Sequence, residues 1–297
     1  MAAAKTTAPA HDGAPTGPVM QTLSLDDADG PLVFDVWEPG QAAAQLPVLL
    51  VHGWGASGGY WRLAAERLAE TSRVIVPDLP GTGRSQPVRR PQGMFEQATA
   101  LTRILDALGI DRVQVVGHSM GGAMGLLLAD AAGERVERLV LTSLCLFASR
   151  AEKRTFRILS KGFRIWLRLR KTPLAALPLF SKAMTSRYFY RMPRELDLVD
   201  GLYRDFLELD EASAIACAAG ATDAAIDRAA TRIRVPTLII VCRQDGLMPV
   251  GNVDYTARQI PGSCVRWMDG SGHLPMLERP DEYVRLLRGF LQGPRRV

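Results

Sequence analysis

The stretch Val113-Gln114-Val115-Val116-Gly117-His118-Ser119-Met120-Gly121-Gly122 decides how this chain folds. A β-branched run stops at Val116, and a Gly-x-Ser-x-Gly motif opens directly onto a helical pattern, Ala123-Met124-Gly125-Leu126-Leu127-Leu128-Ala129. Strand, tight turn, then helix is the context in which a serine stands on a strained elbow with its hydroxyl exposed. So sharp a turn leaves no room for a Cβ at Gly117 or Gly121. Ser119 therefore reads as a nucleophile. The same pattern recurs at Gly55-Ala56-Ser57-Gly58-Gly59, but there the serine lies six residues beyond Val51, the last apolar strand residue. Ser119 follows Val116 by three. An elbow needs the short spacing, so Ser57 reads as a loop residue.

Working outward, strand and helix patterns alternate on both sides of the elbow. Residues 21–25 and 31–37 read as short strands flanking the turn-rich 26–30, and 46–51 is an unbroken apolar run expected of a strand buried on both faces. A helical period over 61–69, a strand at 73–76 and a helix at 97–108, stopped by Gly109, lead into the elbow strand. A strand at 138–144 follows the elbow helix. Beyond a long insertion come a strand at 236–242, a helix at 250–259, a strand at 264–268 and a terminal helix at 281–291. Such alternation predicts an α/β fold, a mostly parallel doubly wound sheet with helices on both faces and an antiparallel edge from the first two strands. Residues 147–234 show no clear strand and read as a helical cap inserted between two strands. The expected organisation is a disordered leader over 1–19, a core over 20–146 and 235–297, and the cap between.

At 297 residues the chain can bury one large core without metals or disulfides. With 47% hydrophobic and 23% charged residues it has the composition of a soluble globular protein. No apolar run approaches the length of a membrane span. The first nineteen residues lack the apolar core of a secretory signal. The four cysteines, Cys145, Cys217, Cys242 and Cys264, show no metal-ligand or paired spacing, and a reducing cytoplasm is the simpler reading. The net charge of +5 is local: residues 147–172 carry nine Lys/Arg and one Glu, leaving the rest of the chain slightly acidic.

A serine hydroxyl needs a base, and the base an orienting carboxylate. Of four histidines, His11 lies in the leader, His118 neighbours the serine and points elsewhere, and His52 follows an earlier strand. That leaves His273, in the loop Gly270-Ser271-Gly272-His273 just past the last strand. For the carboxylate, Asp245 lies three residues past Cys242 at a strand's carboxyl end, where ligand sites form in open α/β sheets. Asp269 competes by its closeness to His273, but Asp245 yields the order Ser, Asp, His with each member on its own strand-end loop. Acyl transfer also needs amides aimed at the developing oxyanion. The candidates are Met120, opening the elbow helix, and Trp54 in the loop His52-Gly53-Trp54-Gly55.

These residues, together with Pro77-Asp78-Leu79-Pro80-Gly81-Thr82-Gly83-Arg84-Ser85 and Gly272-His273 followed by Glu278-Arg279-Pro280, resemble the α/β-hydrolase fold superfamily, in its capped lipase/esterase-like and carbon–carbon-bond hydrolase-like group. The resemblance covers about residues 30–145 and 235–291, not the cap. Cys242 is a departure, since relatives often carry glycine three residues before the acid. Serine rather than aspartate at the elbow argues against the epoxide hydrolase and haloalkane dehalogenase branches.

The expected function is a serine hydrolase with no cofactor and no metal, cleaving a small hydrophobic carboxylic ester or related acyl compound through an acyl-enzyme. The alternative uses the same residues for carbon–carbon bond hydrolysis, perhydrolysis or a lyase or cyclase step. A third reading is a non-catalytic ligand-binding protein on the same scaffold. Within the cap, Arg154, Arg157, Lys161, Arg164, Arg168 and Lys171 recur at helical spacing, with Phe156, Leu159, Phe163, Trp166 and Leu167 roughly opposite, and Pro173 ends the run. Such a helix reads either as a solvated cap face with its apolar side on the core or as a peripheral contact with an anionic membrane. No nucleic-acid partner is expected, because no recognised module accompanies the stripe.

Overall fold

The computed structural model describes residues 5–6, 17–177 and 185–293. The greater part of the expected leader, His11 included, lies outside the described residues. Within that stretch, Lys5–Thr6 (β1) pairs antiparallel with Val19–Asp27 (β2), so the ladder starts before the expected boundary. β2 and Gly30–Glu38 (β3) form a hairpin closed more tightly than expected, because the pairs Asp26 with Pro31 and Asp27 with Gly30 extend the ladder into the turn.

The described residues form a single sheet of nine strands. Val48–Val51 (β4), Val74–Pro77 (β5), Val113–His118 (β6), Val136–Thr142 (β7), Thr237–Cys242 (β8) and Cys264–Met268 (β9) are parallel to one another, in the order β5-β4-β6-β7-β8-β9. β3 joins β5 antiparallel, making β1 to β3 the antiparallel edge. The central strands are buried on both faces, as an unbroken apolar run requires, and their side chains divide by parity. Leu49, Val51 and Val115 point into one core layer and Val48, Leu50 and Val116 into the other. Met94–Ala107 (α2), Met120–Ala132 (α3), Ala224–Arg232 (α7) and Val253–Gln259 (α8) cover the first face. Arg62–Leu68 (α1) and Pro280–Leu291 (α9) cover the second, where Trp61 and Tyr283 stack.

Between β7 and β8 the chain runs through Arg150–Leu169 (α4), Leu196–Glu208 (α5), Glu211–Gly220 (α6) and α7. α4 begins one turn earlier than the basic stripe suggested. Leu167 is buried and Phe156 half-buried, but Leu159 is exposed, contrary to its expected place on the core side. Leu159 sits about 80° round the helix from Leu167, outside the arc that meets the protein. The side chains of Phe163 and Trp166 lie outside the described residues. β4 pairs with β5 on one side and β6 on the other, so the chain reverses its direction of winding there. In open α/β sheets the crevice beyond the carboxyl ends of such strands receives ligands.

Candidate active site

Ser119 occupies the tip of the turn between β6 and α3 with φ 52° and ψ −121°. Positive φ strains any residue bearing a Cβ and marks positions that the surrounding structure must enforce. Enforcement comes from packing against β4. A Cβ on Gly121 would lie 2.4 Å from the His52 carbonyl oxygen, and one on Gly117 2.4 Å from the Gly121 carbonyl oxygen. The two glycines let the elbow press against the neighbouring strand end, which brings Ser119 beside the loop after β4.

His273 and Asp245 come from loops 28 residues apart and meet at His273 Nδ1 to Asp245 Oδ2, 2.8 Å, with both side chains almost completely buried. Asp245 accepts two further hydrogen bonds at Oδ1, from the Leu247 amide at 2.8 Å and the Met248 amide at 3.1 Å. Burial alone would push this carboxyl upward; the bonds from His273 and the two amides outweigh it, and the group stays below the usual carboxylate range. Asp269 stands elsewhere, exposed and paired with Arg243 at 2.6 Å. Ser57 is occupied too: its amide and hydroxyl donate to Asp205 of α5, at 3.0 and 2.6 Å, pinning the loop to the insertion.

Ser119, His273, Trp54 and Met120 line one cavity of about 220 Å³, while Asp245 lies behind His273. The remaining wall is apolar and aromatic, with Tyr188, Phe189, Tyr203 and Phe206 from the insertion and Phe156 from α4. Trp54 is clamped by its indole N–H donating to the Ala214 carbonyl of α6 at 2.9 Å. Met120 is the first residue of α3, so its amide belongs to the positive end of that helix.

The other two core histidines hold the site together. The Leu79 amide donates to His52 Nε2 at 3.0 Å, which leaves Nδ1–H to donate to the Gly53 carbonyl at 2.9 Å. His118 donates from Nε2 to the His273 carbonyl at 2.9 Å, a carbonyl that also accepts from the Ser143 hydroxyl at 3.0 Å. Its Nδ1 accepts from the Tyr60 hydroxyl at 2.8 Å, whose oxygen accepts the Gly53 amide at 2.7 Å. Burial, reinforced by the nearby His273, pushes His118 down to about 3, keeping it neutral. Sequence reading put His118 next to the serine with its side chain pointing elsewhere and gave it no partner; Tyr60 and Ser143 carried no signal at all.

Several matched motif residues brace loops rather than meet the cavity. Asp78 accepts from the Gly58 amide and from the backbone and side chain of Arg84, all within 2.9 Å. Glu278 accepts from the Gly272, Tyr190 and Arg191 amides, tying the His273 loop to the insertion. The four cysteines are free, and burial raises Cys145, Cys217 and Cys242 to about 12, so these three are thiols at neutral pH. Among the described residues no group of His, Cys, Asp and Glu is placed to hold a metal ion, and no helix is long and apolar enough to cross a membrane.

Known proteins resemble this chain in both architecture and sequence. A family model described as the alpha/beta hydrolase fold matches residues 47–280. A protein of Azorhizobium caulinodans named as a carbamate hydrolase, RutD, is 32% identical over 263 residues, covering 83% of this chain and 91% of its own. A thermophilic esterase from Thermogutta terrifontis superposes with a TM-score of 0.72 at 25% identity, over 92% of this chain and 98% of its own. The enol-lactonase from Burkholderia xenovorans, at 21% identity and a TM-score of 0.74 over 91% of this chain and all of its own, shares the fold. With the model spanning most of the chain and a relative matched along nearly its whole length, this protein belongs to the alpha/beta hydrolase fold family.

Proposed function

We propose that this protein is a serine hydrolase that cleaves a small hydrophobic carboxylic ester or related acyl compound. The observation that carries the reading is the buried His273–Asp245 pair standing behind an apolar cavity that Ser119 also lines. Ser119 Oγ attacks the acyl carbon as His273 Nε2 takes its proton, and Asp245 stabilises the imidazolium that results. The Trp54 and Met120 amides receive the oxyanion. Collapse breaks the bond to the leaving oxygen, which takes the proton from His273. Water, deprotonated by the same imidazole, then releases the acid and restores the serine. The helical insertion acts as the cap, its aromatic side chains excluding solvent from the acyl group.

The relative named as a carbamate hydrolase supports a second substrate class, a carbamate, attacked at its carbonyl by the same serine. The largely apolar wall favours the ester, because it offers few partners to a carbamate's N–H groups. A fluorophosphonate probe tests the nucleophile: it should label Ser119 and nothing in Ser119→Ala. A series of p-nitrophenyl esters of increasing chain length, set against p-nitrophenyl carbamates, then tests the substrate. Faster turnover of every carbamate would replace the ester reading, and absence of labelling would remove both.

A further inference from the structure

The outer face of α4 joins two features that a solvated helix avoids. Ile158 is 57% exposed, Leu159 64% and Ile165 62%, although each is large and aliphatic. Ile158 and Ile165 are seven residues apart and fall within about 20° of each other on the helix surface. Single exposed aliphatics are ordinary, but aligned ones on one helix mark a surface that meets something. Beside this ridge run Arg154, Lys161 and Arg168, again at intervals of seven, and then Arg157 and Arg164. All five are exposed, and none forms an ion pair among the described residues. Like charges three and four residues apart destabilise a helix, so this face lacks counter-charge in the free protein. The cations on the inner side are matched, Lys153 with Asp227 and Lys171 with Glu211.

We propose that this face of α4 docks on an anionic lipid surface, its five cations at the headgroup phosphates and Ile158 and Ile165 entering the acyl boundary. A helix with aliphatic and basic ridges side by side, lying in the plane of the interface, meets both demands at once, whereas an acidic protein or a polyanion would leave the aliphatic ridge in water. A second copy of this chain is disfavoured by the repulsion of two identical basic faces. Phe156, on the inner side of the same helix, lines the cavity, so docking would leave only the width of α4, about 10 Å, between the cavity and the lipid. That consequence rests on the hydrolase reading; the docking does not.

Co-sedimentation of the full chain with vesicles tests the surface. Protein should pellet with mixed phosphatidylglycerol and phosphatidylcholine vesicles at low salt and remain in solution with phosphatidylcholine alone. Binding should weaken steeply with added salt, because the Debye length shrinks from about 30 Å at 0.01 M to about 3 Å at 1 M. Each cation near such a surface is worth about fivefold in partitioning, so replacing Arg157, Lys161, Arg164 and Arg168 by Gln should lower it at least about 100-fold. Ile158→Ser with Ile165→Ser keeps every charge and should still lower binding several-fold. Urea midpoints matching the parent chain show that each variant is folded, without recourse to esterase activity. Equal pelleting with neutral vesicles, none with anionic ones at low salt, or self-association lost in the serine variant would each overturn the proposal.

Discussion

The Tyr60 hydroxyl donates to Nδ1 of His118 across 2.8 Å, and through it the loop that carries Trp54 is joined to the backbone of His273. Each group in this chain of bonds is buried and each uses its one available proton in a set direction. Removing the hydroxyl leaves both the Gly53 amide and His118 Nδ1 without a partner, a cost of about 1–3 kcal/mol for each buried group. Tyr60→Phe should therefore lower stability by about 2 kcal/mol or more, read from urea unfolding. Because Tyr60 positions the loop, kcat on a short p-nitrophenyl ester should fall about 10- to 100-fold with KM little changed. A raised KM at constant kcat would place Tyr60 in substrate binding instead.

Ser119→Ala should reduce ester turnover by several orders of magnitude, since only oxyanion and binding effects remain once the nucleophile is lost. Stability should hold or rise, because the replacement removes no hydrogen bond of the Ser119 side chain found among the described residues. Ser57→Ala should do the reverse: it removes the hydroxyl that donates to Asp205 and accepts from the Gly59 amide, and should cost about 1–2 kcal/mol while retaining most turnover. Kinetics and unfolding curves of the two variants, compared side by side, decide which serine is the nucleophile.

Asp245→Asn should impair kcat by a factor of about 10³ or more, because the neutral amide neither stabilises an imidazolium nor holds the required tautomer. Asp269→Asn loses an exposed pair with Arg243, worth about 0–1 kcal/mol, and should be almost silent. A dead Asp269→Asn beside an active Asp245→Asn would move the acid to the other loop.

Stability should decline as pH falls below neutrality. His118 sits at about 3 in the folded protein, lowered first by burial, against about 6.5 in an unfolded chain. Between these values the unfolded state binds a proton that the folded state refuses, so stability rises with pH through this window and is lost on acidification. Burial shifts His52 in the same direction. Each unit of acidification below about 6.5 costs roughly 1.4 kcal/mol from His118. The depressed Asp245 adds a loss of the same sign at still lower pH, as its carboxylate takes up a proton. Urea midpoints at neutral pH and about pH 5 should differ accordingly, and His118→Gln should flatten the dependence. A midpoint insensitive to pH over this range would contradict the buried neutral imidazole.

The parts of the molecule legible in its sequence are those specified by neighbours along the chain. Three residues from Val116 to Ser119, with glycine on both sides of the serine, can make only a sharp turn between strand and helix, and the structure places Ser119 at φ 52° there. The apolar run at Val48–Val51 could belong only to a strand covered on both faces. Asp245 and His273 were traceable because strand ends in a parallel sheet gather on one side, so position along each strand stands in for position in space.

What the tertiary structure alone decided involves partners far apart in the chain or faces that periodicity leaves equivalent. His118 finds Tyr60 58 residues away and the His273 carbonyl 155 residues away, and no spacing rule connects them. In α4 the basic stripe was evident, but apolar residues surround the rest of the helix. Periodicity places residues on a common face without saying which face the protein covers. Packing against the insertion took Leu167 inward and left Ile158, Leu159 and Ile165 in solvent, because burial is a property of what a helix lies against rather than of the helix itself.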